Sequence, residues 1–494
     1  MKINKLGSYY QHVAASVQAL ATGRSLWQAE AAALLPRLQQ NYKRSESDEL
    51  LSTLSDAQRL HNIVVAGVEN NADFKAAVDK LPITGWKDFT APDVEIGLYK
   101  SLAAKLYNTK PGVGDMAEID LQDGSRVMGP MIINHCLRDK VPFVITFTEP
   151  DFQRTLFNHT SAEGAEALGR DYLLMVKDIT TSIAARSGMS DRPPVPLTND
   201  NPKIFAKLQE THKKKFSTGE LFYTLTRIPT RKDAEIDNIP YDDYIKLFFE
   251  MCDQPWDQVS KAQSALIKEF NVASKVRITN DDGTDVSMSL VDHDGSHFTF
   301  CNSLIAKNVP GSEIFSAPRL DSLNGKVVAK GRFYQGGLIE NLTMEFEQGK
   351  LVRYHAEKGQ NYFENAIGVD EGARYVGELG IGTNPHLKQH VTNGLLVEKI
   401  GGSFHLALGR PYSYTEYGGE TVKVNNGGKS QLHWDVTTML HGKNGCIYLD
   451  ERKVMDNGQW LDPQYDVLNR GWEALPKKDR PLYWKNYFDK PKQP

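Results

Sequence analysis

Two segments in the second half of the chain combine residue types that bind metals. In Phe404-His405-Leu406-Ala407-Leu408-Gly409-Arg410-Pro411-Tyr412 one imidazole is set into an apolar, strand-like run that ends at a glycine and a tyrosine. In Leu432-His433-Trp434-Asp435 an imidazole and a carboxylate stand two residues apart. Positions i and i+2 of a strand project from the same face, so His433 and Asp435 can aim at one point. Three glutamates occupy apolar or glycine-rich settings in the same half. They are Glu313 in Gly311-Ser312-Glu313-Ile314-Phe315, Glu378 in Gly377-Glu378-Leu379-Gly380, and Glu398 in Leu395-Leu396-Val397-Glu398-Lys399. Burying such a carboxylate is costly unless a cation or hydrogen bonds compensate it, and a metal ion does so most completely.

Three Glu, one Asp and two His make an oxygen-rich set without thiolate, suited to Zn²⁺, Mn²⁺, Co²⁺ or Mg²⁺. One tetrahedral zinc needs fewer ligands. The count favours two ions that share a bridging carboxylate. Two ions about 4 Å apart could hold a hydroxide and polarise a carbonyl for hydrolysis. Tyr412, just past the Gly409-Arg410-Pro411 bend, is the candidate phenol for stabilising the oxyanion as it develops. A free amino terminus on the substrate could bind one of the ions or a carboxylate.

Taken singly, the same residues have plainer readings. His405 reads as a satisfied core histidine, His433 with Asp435 as a cross-strand salt-bridge pattern, Glu313 and Glu378 as surface glutamates, and Tyr412 as packing. Other arrangements are weaker still. Glu371 follows Asp370 at an expected helical turn, where acids complement the helix dipole, so Glu378 is the better ligand. His386 and His390 would share a helix face but follow Asn384-Pro385 and lack the glutamate of an HExxH motif. His293 and His297 fall in a polar hairpin region. Gly427-Gly428-Lys429-Ser430 resembles a phosphate loop, yet Lys423 stands where its first glycine belongs, and no G-x-S-x-G elbow occurs.

The elements that must position these residues follow from periodicity. Up to about residue 109 the pattern is helical, with apolar residues three and four apart in Leu26 to Leu38 and Leu50 to Val65. From 110 to 271 strands alternate with helices, as expected of an α/β layer. The expected strands are Met116 to Leu121 and Val141 to Phe147, and the expected helices Met128 to Leu137, Ala162 to Ala185 and Tyr241 to Phe270. From 272 to 494 hairpins dominate, about Asn280-Asp281-Asp282-Gly283 and about Gln348-Gly349-Lys350. One helix from Asn361 to Val376 interrupts them, and the last thirty residues are expected to wrap the surface. The fold class is therefore α/β and α+β multidomain: a helical N-terminal region, an α/β domain and a β-rich metal-binding domain.

With 494 residues, two or three domains are expected. A formal net charge of -4 gives no sign of a nucleic-acid or anionic-lipid surface, and Lys213-Lys214-Lys215 reads as a solvated helix face. Cys136, Cys252, Cys301 and Cys446 are scattered singly, which suits a reducing cytosol. The N-terminus lacks the apolar core of a signal peptide, and no run reaches membrane-span length, so a cytoplasmic protein is expected.

Several motifs occur together in one order and near one spacing. They are Ser312-Glu313-Ile314-Phe315-Ser316-Ala317-Pro318, Asp370-Glu371-Gly372-Ala373-Arg374 with Gly377-Glu378, His405-Leu406-Ala407-Leu408-Gly409 with Tyr412, and His433-Trp434-Asp435. Arg227-Ile228-Pro229-Thr230 and Gly283-Thr284-Asp285 add support. In this the chain resembles the thermophilic-type metalloaminopeptidases, the family of aminopeptidases T, S and II, over roughly residues 110 to 470. The resemblance implies a homodimeric aminopeptidase with two divalent ions (Zn, Mn or Co) per chain, acting on peptides with a free N-terminus. It implies Glu313, Glu378, His405, His433 and Asp435 as metal ligands, with Glu378 bridging. Glu398 becomes the remaining acidic ligand or the catalytic base, and Tyr412 the active-site tyrosine. The spacer from Glu398 to His405 is longer than the family leads one to expect, and the helical stretch before residue 110 has no counterpart in compact members. The competing expectations are a mononuclear iron ring-cleaving dioxygenase of related fold and a catalytically silent binding protein.

Overall fold

A computed structural model describes Leu51, Ser55, 58–81, 96–107, 116–189, 194–212, Lys215, 220–305, 307–417 and 419–480. Two compact units divide the chain, Met1–Lys232 and Asp233–Pro494. The expected Leu26 to Leu38 helix lies outside the described residues, as do the first two lysines of the 213–215 run.

In the first unit, four parallel strands stand in the order Phe143–Phe147, Ala117–Leu121, Thr181–Ser187, Phe222–Ile228. Helices Gly129–Arg138, Pro150–His159 and Ala162–Val176 connect the strands, as parallel neighbours require. The Ala117–Leu121 strand is buried at every position, as expected of a strand covered on both faces. Helix Ala162–Val176 begins where the Ser161 side chain accepts from the Gly164 N–H. It stops nine residues before the expected end at Ala185. The segment Thr181–Ser187 is instead a strand paired on both sides, because its β-branched, small residues fit a buried pleat better than a helical stripe.

The second unit contains helices Tyr241–Cys252 and Trp256–Val272, expected from the sequence to lie with the α/β layer. The expected single helix is two because Pro255 lacks an N–H and pushes Gln254 out of helical geometry. Val259, Leu266 and Phe270 of the second helix join one core with residues from two antiparallel sheets. The eight-stranded sheet includes both expected hairpins, Lys275–Thr279 with Asp285–Ser289 and Leu338–Glu347 with Lys350–Lys358. The expected Asn361 to Val376 helix ends at Ile367. Asp370 then caps a short helical turn through the Ala373 N–H, and Val376 opens a fully buried strand. Of the last thirty residues, Tyr465, Val467 and Leu468 are buried in this core at about 1.5–3 kcal/mol per large apolar side chain, Lys477–Asp479 is exposed, and 481–494 lie outside the described residues.

The five-stranded sheet has the order His433–Met439, Ser403–Gly409, Val376–Gly382, Glu313–Ser316, Cys301–Ser303. One of its faces supplies Ile314, Leu379, Ile381, Phe404, Leu406, Leu408, Trp434 and Val436 to the core. The period of two sends the alternate residues to the other face.

Candidate metal centre

The cross-strand register of this sheet aligns the alternate residues in rows. Glu313 pairs with Gly382, His405 with Gly380, Glu378 and Asp435 with Ala407 from either side, and His433 with Gly409. Directly opposed residues share a face, so all five side chains project together. On one side each is opposed by glycine or alanine, which leaves room for the larger group; on the other, His405 faces Thr437 and Glu313 faces Ser303. The clearance at Gly380 is tight: a Cβ there would stand 2.0 Å from His405 Nε2.

Glu313 is introduced by a strained residue. Ser312 has φ +95°, in the region that favours glycine. It is held there by a hydroxyl contact to Thr383 Oγ1 at 2.8 Å, and Thr383 in turn accepts from Gln263 Nε2 at 2.8 Å. Strain of this kind persists only where the surroundings over-determine it.

The two imidazoles meet the same carboxylates from different sides. His405 Nε2 lies 3.4 Å from Glu378 Oε1, 3.6 Å from Glu313 Oε2 and 3.9 Å from Asp435 Oδ1. His433 Nε2 lies 3.8 Å from Glu378 Oε2 and 3.7 Å from Asp435 Oδ2. Glu378 and Asp435 therefore offer one oxygen to each histidine. A 2.8 Å contact between His433 Nδ1 and the Arg410 carbonyl assigns the proton to Nδ1 and leaves the Nε2 lone pair facing the carboxylates.

These atoms fit a metal better than they fit one another. Glu313 Oε2, Glu378 Oε2 and Asp435 Oδ1 are buried without a hydrogen-bond partner, an unfavourable state for carboxylate oxygens. Two donors bonded to one tetrahedral ion at about 2.1 Å lie about 3.4 Å apart, close to the separations around His405. Among the described residues, Glu378, His405 and Asp435 offer ligand atoms within 4.8 Å of one another.

Glu398 reaches the centre from outside the sheet, at the C-terminal end of the Gly394–Val397 helical turn. Its Oε2 accepts from Lys399 Nζ at 2.9 Å, and the same ammonium donates to Glu313 Oε1 at 2.5 Å. Tyr412 packs its ring 5.4 Å from that of His433 and 5.1 Å from that of Phe315, beside Tyr414 and Tyr417.

Burial and mutual charge govern proton affinity here. Burial raises the Glu378 carboxyl, opposed by its bond to His405. Burial raises Glu398 to about 7, with Lys399 opposing. For His405 burial acts downward, but the Glu378 hydrogen bond and the neighbouring carboxylates lift it to about 9. His433 is also raised, its burial outweighed by Asp435 and Glu378. Asp435 is lowered, since the two histidines and Lys399 outweigh its burial.

Glu371 bonds Lys350 at an exposed position, and Asp370 caps its turn. His293 pairs with Asp321 at the surface. His386 and His390 lie in a loop, with the His390 ring against Phe333. Sequence reasoning missed Lys399, Ser312 and Gly380. The signal for Lys399 was present, since Leu395-Leu396-Val397-Glu398-Lys399-Ile400 sets an adjacent acid and lysine inside an otherwise apolar run. Gly380 and Ser312 had no local signal, because only the cross-strand register and backbone angle single them out.

Aminopeptidase AmpS of Bacillus subtilis is 33% identical over 166 residues, 31% of this chain and 40% of that protein. Aminopeptidase T of Thermus thermophilus is 30% identical over 193 residues, 36% of this chain and 47% of that protein. The matches thus span less than half the length of these curated relatives. The solved structure of wild-type AmpT from Thermus thermophilus shares the fold, with a TM-score of 0.55 and 18% identity over 74% of this chain and the whole of that one. Residues 141–460, which hold every candidate ligand, match the model of the thermophilic metalloprotease family M29, and the chain belongs to that family.

Proposed function

We propose that this chain is an aminopeptidase that uses two divalent metal ions, Zn²⁺, Mn²⁺ or Co²⁺, to release N-terminal residues from peptides. One observation carries the reading: Glu378 and Asp435 each direct one oxygen towards His405 and the other towards His433. Two imidazoles straddled by two carboxylates suit a pair of ions rather than one. His405 with Glu313 would hold one ion and His433 the other, with Glu378 and Asp435 shared. When bound, the ions would polarise the scissile carbonyl and activate a water.

The protein's own groups do the rest. Glu398, the carboxylate that reaches the centre from outside the sheet, would accept a proton from the attacking water. Tyr412, against the His433 ring, offers its phenol to the developing oxyanion. The acidic centre suits a cationic free amino terminus on the substrate. We further infer a homodimer in the cytoplasm. The four buried free cysteines fit a reducing compartment, and no described helix is long and apolar enough to cross a membrane.

The test is to strip the protein with chelator and follow hydrolysis of amino-acid anilides with Mn²⁺, Co²⁺ or Zn²⁺ restored. Metal-dependent release from substrates with a free amine, and none from N-acetylated ones, is expected. Metal binding without amide hydrolysis, or iron-dependent oxygen uptake in its place, would overturn the reading. Sedimentation would check the dimer.

A further inference from the structure

A buried ammonium loses its hydration, so lysines are rarely found inside a protein unless carboxylates replace the lost water. Lys399 is such a residue: its side chain is 1% exposed, and its Nζ bonds both Glu313 Oε1 and Glu398 Oε2. Its backbone is fixed as well, since its N–H donates to the Leu396 carbonyl and its own carbonyl accepts from the Asn384 N–H. Glu313 consequently has one oxygen engaged by the ammonium and the other, Oε2, directed at His405 without a hydrogen-bond partner. Charge points the same way. Glu313, Glu378, Glu398 and Asp435 with Lys399 leave three negative charges, which two divalent ions and one hydroxide cancel.

We propose that Lys399 is a positioning residue that serves as the centre's resident cation, holding Glu313 and Glu398 together before metal binds and lowering the centre's avidity for divalent ions. This rests on the reading that the cluster binds such ions. Without the ammonium, Glu313 and Glu398 face each other and the remaining carboxylates with one cation fewer among them, so the metal-free fold loses more than the loaded one. Metal then restores more stability than it adds to the native protein.

The experiment compares the Mn²⁺-induced shift in thermal midpoint of the native chain, K399M and K399R, with Mn²⁺ affinity from calorimetry. K399M is expected to shift by several degrees more than the native chain and to bind Mn²⁺ more tightly, while K399R matches the native chain. A native chain that shows no shift defeats the divalent-ion reading and this inference with it. A native shift that K399M merely equals or falls below overturns this inference alone, as does a K399R that behaves like K399M. If K399M does not fold without metal, adding E398Q removes one uncompensated carboxylate. The double variant is expected to fold without metal, and its failure to do so overturns the proposal.

Discussion

At the scale of residues, each candidate ligand on the sheet is as dependent on the small residue opposite it as on its own chemistry. Asp435→Asn and Glu378→Gln keep the shape but remove the charge that draws a cation to both histidines. Each is expected to lower metal-dependent kcat/KM by at least about 100-fold with an unchanged circular dichroism spectrum, read alongside metal content. Gly380→Ala is expected to do comparable damage although glycine offers no ligand atom of its own, because the added methyl would stand 2.0 Å from His405 Nε2. Loss of bound metal in that variant, measured by elemental analysis of folded protein, is the outcome that supports this; full metal content would contradict it.

At the scale of elements, the sheet does two jobs with one alternation: Leu379, Ile381, Phe404, Leu406 and Val436 fix it to the core while the intervening residues form the centre. The entry to the Glu313–Ser316 strand is its most strained point. Ser312→Val places a β-branched residue at φ +95° and removes the hydroxyl bonded to Thr383. The expected loss is on the order of 2–4 kcal/mol, seen as a lower urea midpoint with an unchanged slope. Ser312→Gly relieves the backbone and loses only the hydroxyl, so a loss as large as that of Ser312→Val would refute the strain argument.

At the scale of the molecule, stability is linked to protons and to metal. Burial lowers the imidazoles of His386 and His390 to about 4, Lys388 adding to the effect at His386. An unfolded histidine titrates near 6.5, so between these values the unfolded chain binds more protons and stability falls as pH drops from about 6.5 towards about 4. Each contributes up to about 3 kcal/mol across that window. The raised carboxyls of the centre act in the opposite sense. The check is therefore a difference: His390→Leu should flatten the acid limb of the midpoint-against-pH curve relative to the native chain, and parallel curves would disprove it. Chelation should lower the thermal midpoint at neutral pH, and restored metal should raise it with the logarithm of its concentration.

The sequence by itself determined the family and the hairpins, and it nominated the residues of the candidate centre. Its i, i+2 spacing at His433 and Asp435 and its apolar-flanked glutamates are local signals that survive folding. It misjudged where helices end at Val176 and Ile367, since alanine-rich or mixed segments satisfy a helical stripe and a pleat about equally well, and it missed the break that Pro255 imposes after Cys252. Tertiary structure alone decided that Glu378 and Asp435 meet across Ala407, that Gly380 clears His405, and that Lys399 turns inward between two carboxylates. Those relations join residues on different strands and turns. They are set by cross-strand register and burial, which no local stretch of sequence contains.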